Sequence, residues 1–207
     1  MRLNKFTGLF MAAVLAVATF NFVPAKKASA DNPVVQTYFT ADPSPLVVGD
    51  TLYLITSHDE DVLEKNKPTD DYLFFTMKNW KCYSTKDMVN WTDHGAIPVA
   101  GTDGIAKWAT CSWAPCAAHK TINGKEKFFL YFCNGGNGVS VLTADSPTGP
   151  WTDPLGKALI TREVPNCGDI TWLFDPAVFV DDDGTGYLCF GGGVPEGKTA
   201  MPGTSRV

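Results

Sequence analysis

The sequence predicts an all-β chain built from repeated four-stranded units, the architecture of a β-propeller. Three observations carry that expectation. Short strand-like runs are punctuated by turn residues throughout. No sustained 3.6-residue apolar period appears after the first thirty residues. Two independent motifs also recur at a spacing near sixty residues, and self-similarity at a fixed period marks a repeat architecture.

The first hairpin is Leu46-Val47-Val48, a Gly49-Asp50 turn, then Thr51 to Ile55. Phe128 to Cys133 follows an Asn123-Gly124 turn. Ala177 to Val180 runs through Asp181-Asp182-Asp183-Gly184 into Tyr187 to Phe190. The three aspartates suggest calcium at first sight, but the other ligands of an EF-hand loop are missing, so the stretch reads as a turn. Asp42-Pro43, Ala114-Pro115 and Asp175-Pro176 each precede a hairpin, their prolines 72 and then 61 residues apart. Thr85-x-Asp87 leads to Trp91-Thr92-Asp93, and Thr143-x-Asp145 leads to Trp151-Thr152-Asp153, the tryptophans 60 apart. Blades arranged around an axis bring the starts of their inner strands together. Asp42 and Asp175 are therefore expected to face one central pocket. Trp91 and Trp151, recurring at the blade period, read as core.

Residues 1–30 read as a secretory signal: a basic start (Arg2, Lys5), an apolar run from Phe6 to Val23, then Ala28-Ser29-Ala30 before Asp31. The expected product is secreted, with no membrane association after signal cleavage. Its 177 residues hold 13 Lys+Arg against 22 Asp+Glu, net −9. That acidic balance argues against nucleic acid as a partner. Six cysteines allow 15 disulfide pairings, which sequence does not separate. Cys133 and Cys189, inside apolar runs, read as small buried hydrophobes. Cys111 and Cys116 lack the spacing of a zinc site, and no metal site is expected from them.

Ala41-Asp42-Pro43-Ser44-Pro45, Trp113-Ala114-Pro115, Asn134-Gly135-Gly136-Asn137-Gly138 and the run from Phe174 to Gly184 resemble glycoside hydrolase family 43, with the motifs in the same order. The resemblance runs from about Val34 to the last residue. It implies a five-bladed β-propeller acting on plant cell-wall polysaccharide or oligosaccharide, as an α-L-arabinofuranosidase, β-xylosidase or endo-arabinanase. Thr56-Ser57-His58-Asp59-Glu60 and Met77-Lys78-Asn79-Trp80 look most like the members acting on arabinoxylan. It further implies Asp42 as the general base of an inverting hydrolysis and Asp175 as the carboxylate that raises the pKa of the acid. Trp113 is the implied sugar-stacking residue. His58, in a loop expected at the propeller mouth, and Asn134, in the Asn-Gly-Gly loop, are the further candidate substrate contacts. No cofactor is required, and an axial calcium is left open.

The family's general acid is a glutamate in a later blade. After Asp175 the only glutamate is Glu196, too near and in a loop. Five blades need about 300 residues, and a propeller closes only with all its blades. The expectation is thus a partial domain over residues 31–207, truncated to about three blades and inactive by itself. Two other readings compete. One is a non-catalytic carbohydrate-binding propeller. The other is a retaining hydrolase, whose carboxylate pair would stand only ~5–5.5 Å apart.

Overall fold

The computed structural model describes residues 33–59, 77–199 and 205–207, so the expected signal sequence lies outside the described residues. Regular structure among them is entirely β: ten strands in three antiparallel sheets, with no helix.

The first sheet has the order β1 (Ser44–Val48), β2 (Thr51–Ser57), β3 (Asn79–Thr85), β4 (Thr92–Pro98). The β1–β2 hairpin turns at Gly49, whose φ of 61° suits a residue without a Cβ. Between β3 and β4 the Asp87 carboxylate accepts the N–H groups of Val89 (2.9 Å) and Asn90 (2.7 Å), while Thr85 Oγ1 accepts that of Met88 (2.8 Å). These side chains satisfy backbone donors that the ladder abandons at the turn. In the second copy of the Thr-x-Asp signature the side chains bond elsewhere, Asp145 accepting from Lys127 Nζ (2.9 Å) and Thr143 pairing with Thr152.

The second sheet is β5 (Pro115–Ile122), β6 (Lys125–Cys133) and β7 (Val139–Ala144). Asn123 (φ 52°) and Gly124 (φ 75°) form its hairpin turn, both left-handed as a two-residue primed turn requires. Sequence predicts a fourth strand here, but only two isolated bridges form, Thr143 with Thr152 and Val139 with Ile160. The intervening residues explain the difference. Pro154 has no N–H to donate, and Asp153 Oδ1 instead captures the N–H groups of Leu155 (3.1 Å) and Gly156 (2.9 Å) in a side-chain turn.

The third sheet has the order β10 (Ser205–Arg206), β9 (Gly186–Gly191), β8 (Ala177–Val180). Its hairpin closes as a turn at the aspartate run, with Gly184 N–H on Asp181 O (2.8 Å) and Asp181 N–H on Thr185 O (2.9 Å).

The sheets pack face to face in chain order. Ile55, Trp80, Leu130, Phe132, Leu142 and the buried Trp151 belong to the core between the first and second. Val139, Leu173 and Phe190 are buried between the second and third, with Tyr131 and Leu188 against them. Strand alternation produces both cores from one strand: β6 turns Phe128, Leu130 and Phe132 to one side and Tyr131 to the other. Trp91 is half-buried. All six cysteines are free thiols. Cys133 is fully buried as expected, but Cys189 is exposed, contrary to the sequence reading. The cause is again alternation: Leu188 and Phe190 take the inner face of β9, leaving Tyr187 and Cys189 outside.

The first strands of the three sheets are stitched side by side. Ser44 Oγ, in β1, accepts the N–H of Ala117 in β5 (2.8 Å), and Cys116 Sγ, in β5, accepts that of Val178 in β8 (3.2 Å). Ser44, Cys116 and Ala177 each lie two residues after Asp42, Ala114 and Asp175. The same repeat position thus binds each sheet to the next.

Candidate active site

The stitching brings the two Asp-Pro motifs to one end of the three sheets. A cavity of about 320 Å³ opens there, lined among the described residues by Asp42, Met77, Trp113, Ala114, Trp172, Phe174 and Asp175. That volume lies at the small end of the ~300–1,000 Å³ usual for small-molecule sites. Asp42 and Asp175, 133 positions apart in the chain, share it. Ala114 occupies the same repeat position between them, so the middle repeat contributes a methyl group where its neighbours contribute carboxylates.

Both aspartates have φ of 48°, a left-handed conformation uncommon for a residue with a Cβ. Each is also followed by proline, which restricts the preceding residue towards extended backbone. Strain of this kind persists only where the surroundings enforce it, and it tends to gather at functional positions. The enforcement is visible around Asp42: Ser57 binds both sides of the Ala41 peptide position, its N–H on Ala41 O and its Oγ accepting Ala41 N–H, each at 3.1 Å. Around Asp175, the N–H of Gly191 donates to Phe174 O at 3.0 Å.

The electrostatics follow from this crowding. Partial loss of hydration beside the apolar wall raises the Asp42 carboxyl above its ordinary value, and the nearby Asp59 charge raises it further. Asp175 is raised first by the same loss of hydration and then by the Asp42 charge. Beneath them the buried Cys133 thiol is pushed up to about 12, chiefly by burial, and stays neutral. Among the described residues no group of three or more His, Cys, Asp or Glu side chains is arranged to hold a metal ion.

Trp113 forms one wall. Its carbonyl accepts the indole N–H of the fully buried Trp80 (2.9 Å), and its own N–H donates to Cys133 O (3.0 Å). Trp172 lies beside it, ring centroids 6.3 Å apart, and Phe174 follows at 5.9 Å from Trp172. Asn134 is not among the lining residues. Its Oδ1 accepts the N–H groups of Thr110 (3.0 Å) and Cys111 (3.2 Å) and the Thr110 hydroxyl (2.9 Å), fixing the segment that leads to Trp113. His58 is not among them either. Its ring stands edge-on to Tyr38 at 5.1 Å, with Nδ1 buried and without a hydrogen-bond partner among the described residues.

Trp172, Met77 and Phe174 are not among the expected site residues, although Met77 and Phe174 lie in motifs that carry the resemblance. The repeat itself carries the signal for Phe174, which precedes Asp175 as Trp113 precedes Ala114. Trp172 is signalled by glycine: a Cβ on Gly136 would lie 2.0 Å from its ring, and one on Gly193 1.9 Å. Both glycines leave room for the indole.

The profile of Glycosyl hydrolases family 43 matches residues 30–204. The chain belongs to this family. It is 50% identical to the arabinoxylan arabinofuranohydrolase of Bacillus subtilis (strain 168), over 93% of its own length and 40% of that protein. It is 48% identical to the arabinoxylan arabinofuranohydrolase of Paenibacillus polymyxa, over 99% of its own length and 35% of that protein. The chain therefore spans well under half the length of these curated relatives. Among solved structures, the family 43 arabinoxylan arabinofuranohydrolase from Bacillus subtilis, in complex with cellotetraose, superposes with a TM-score of 0.78 at 50% identity, covering 84% of this chain and 38% of that one. CoXyl43, a family 43 β-xylosidase/α-arabinofuranosidase from a compost metagenome in complex with xylotriose, superposes at 0.56 with 31% identity, covering 80% and 46%.

Proposed function

We propose that this family 43 chain carries the first part of the active site of a secreted hydrolase that removes arabinose from arabinoxylan, built on about three blades of a five-bladed propeller. The observation that supports it best is the cavity shared by Asp42 and Asp175 under an aromatic wall. Aromatic faces suit the apolar faces of sugar rings, and carboxylates suit the proton transfers of glycoside hydrolysis. The arabinoxylan-acting relatives narrow the substrate class.

In this reading Asp42 is the general base. It removes a proton from a water that attacks the anomeric carbon as the glycosidic C–O bond breaks on the opposite face. A carboxylic acid protonates the departing oxygen, and the product carries inverted configuration. The raised pKa of Asp42 makes it a stronger base once ionised. Asp175 holds negative charge near the acid and keeps that group protonated at neutral pH. Trp113 and Trp172 offer flat surfaces to the sugar. Among the described residues no glutamate lines the cavity; in this reading the acid is a glutamate of a later blade, as the family resemblance implies.

Two assays on 4-nitrophenyl α-L-arabinofuranoside test this reading. The 207-residue chain alone is expected to show no turnover; turnover lost on Asp42→Asn would overturn the assignment of the acid. In a chain extended to the length of the relatives, Asp42→Asn is expected to lower kcat about 10²–10⁴-fold with substrate binding largely kept. Proton NMR of the first-formed sugar should show the inverted anomer, and a retained anomer would contradict the mechanism.

A further inference from the structure

Aligning the three repeats on their cross-strand hydrogen bonds isolates one difference at the hub. In the first repeat Ser57 N–H donates to the carbonyl of Ala41, the residue before Asp42; in the second, Cys133 O accepts the N–H of Trp113, the residue before Ala114; in the third, Gly191 N–H donates to the carbonyl of Phe174, the residue before Asp175. Two residues further along stand Asp59, Gly135 and Gly193. The glycines have φ of 57° and 80°. Only the first repeat places a hydroxyl and then a carboxylate at these positions.

Those two side chains form a short relay. The Ser57 hydroxyl is fully buried; it accepts the Ala41 N–H at 3.1 Å and donates to Asp59 Oδ1 at 3.4 Å. Asp59 N–H donates in turn to Phe39 O at 3.0 Å, which ties the segment after β2 to the segment before Asp42. With its proton directed to Asp59, the hydroxyl presents a lone pair to Ala41 and holds the peptide from which Asp42 turns left-handed.

We propose that Ser57 and Asp59 are positioning residues for Asp42, the hydroxyl fixing the turn that aims its carboxylate into the cavity and Asp59 fixing the hydroxyl and facing Asp42 with a second negative charge. The inference rests on the reading of Asp42 as the base. Among the described residues, the groups coupled by charge to Asp42 are Asp59, from the segment after β2, and Asp175, from the third repeat; the His58 ring is turned onto Tyr38. Asp59 has no counterpart in the other repeats, so it tunes one carboxylate and leaves the other to the Asp42–Asp175 pair.

The test is the titration of the Asp42 carboxyl carbon by NMR in the full 207-residue chain, the signal assigned by its loss in Asp42→Asn. Asp59→Asn keeps an oxygen for the Ser57 hydroxyl and removes the charge, so the Asp42 midpoint is expected to fall towards the ordinary carboxylate value. Asp59→Glu is expected to hold it raised. Ser57→Ala is expected to reduce the difference between wild type and Asp59→Asn and to speed amide exchange at Ala41. An Asp42 midpoint unmoved by Asp59→Asn, with amide spectra showing an intact fold, overturns the proposal. Binding of an arabinoxylan oligosaccharide to the wild-type chain tests the hydrolase reading separately, since it does not depend on how Asp42 titrates.

Discussion

At the scale of the residue, the two hub aspartates combine left-handed backbone, partial loss of hydration and mutual repulsion, all unfavourable to stability. The sign of their effect on folding follows from the raised pKa values. A carboxyl that binds its proton more tightly when folded lowers stability as pH rises from the ordinary carboxylate pKa through the raised one. Asp42→Asn or Asp175→Asn should therefore raise the melting temperature at pH 7, and the gain should vanish at a pH below both values. Thermal melts at the two pH values check this; equal shifts at both would show that the charge is not the cause. Trp172 offers a second test. Gly136→Ala and Gly193→Ala would each push a methyl group into its ring, and overpacking of this kind typically costs about 1–3 kcal/mol. Both should alter tryptophan fluorescence and weaken oligosaccharide binding. Gly193→Ala should be the worse, because its φ of 80° adds backbone strain to the clash.

At the scale of the element, turns were more legible in the sequence than strand number. The Gly49, Asn123-Gly124 and Asp181 to Gly184 turns lie where their residues predicted, because a left-handed φ restricts the choice of residue more than a strand does. The fourth strand of the second sheet was misread because Pro154 and the Asp153 side-chain turn override a pattern shared with the first sheet. The exposure of Cys189 was hidden for another reason: a strand that looks uniformly apolar does not announce which face its neighbours will cover. Asp87 gives this scale its own prediction. Backbone N–H donation from Asn90 and Val89, with the Asn90 side chain, holds its carboxyl well below the usual range. Its contribution to stability is full above the ordinary carboxylate pKa and is lost as pH falls through the depressed folded value. Asp87→Ala should lower the melting temperature at neutral pH, and the deficit should shrink in acid. A deficit independent of pH would mean that packing, rather than the charged turn, is responsible.

For the molecule as a whole, convergence of distant residues organises both core and site. Leu130 is fully buried between the first two sheets, and Leu130→Ala should cost about 2–5 kcal/mol in denaturant unfolding. The meeting of Asp42 and Asp175 was legible because the repeat supplied the geometry; Trp172 and Met77 were not, because neither sits at the repeated position. Asn134 was legible as a residue of the motif but not in its role, which depends on the Thr110 and Cys111 peptides brought to it by the fold. The central claim is that Asp42 and Asp175 act on each other across one cavity. The most direct test is the carboxyl titration of Asp175, measured in the wild-type chain and again in Asp42→Asn. The midpoint should start above the ordinary aspartate value and move down when the Asp42 charge is removed; a midpoint that starts at the ordinary value, or does not move, would contradict a shared site.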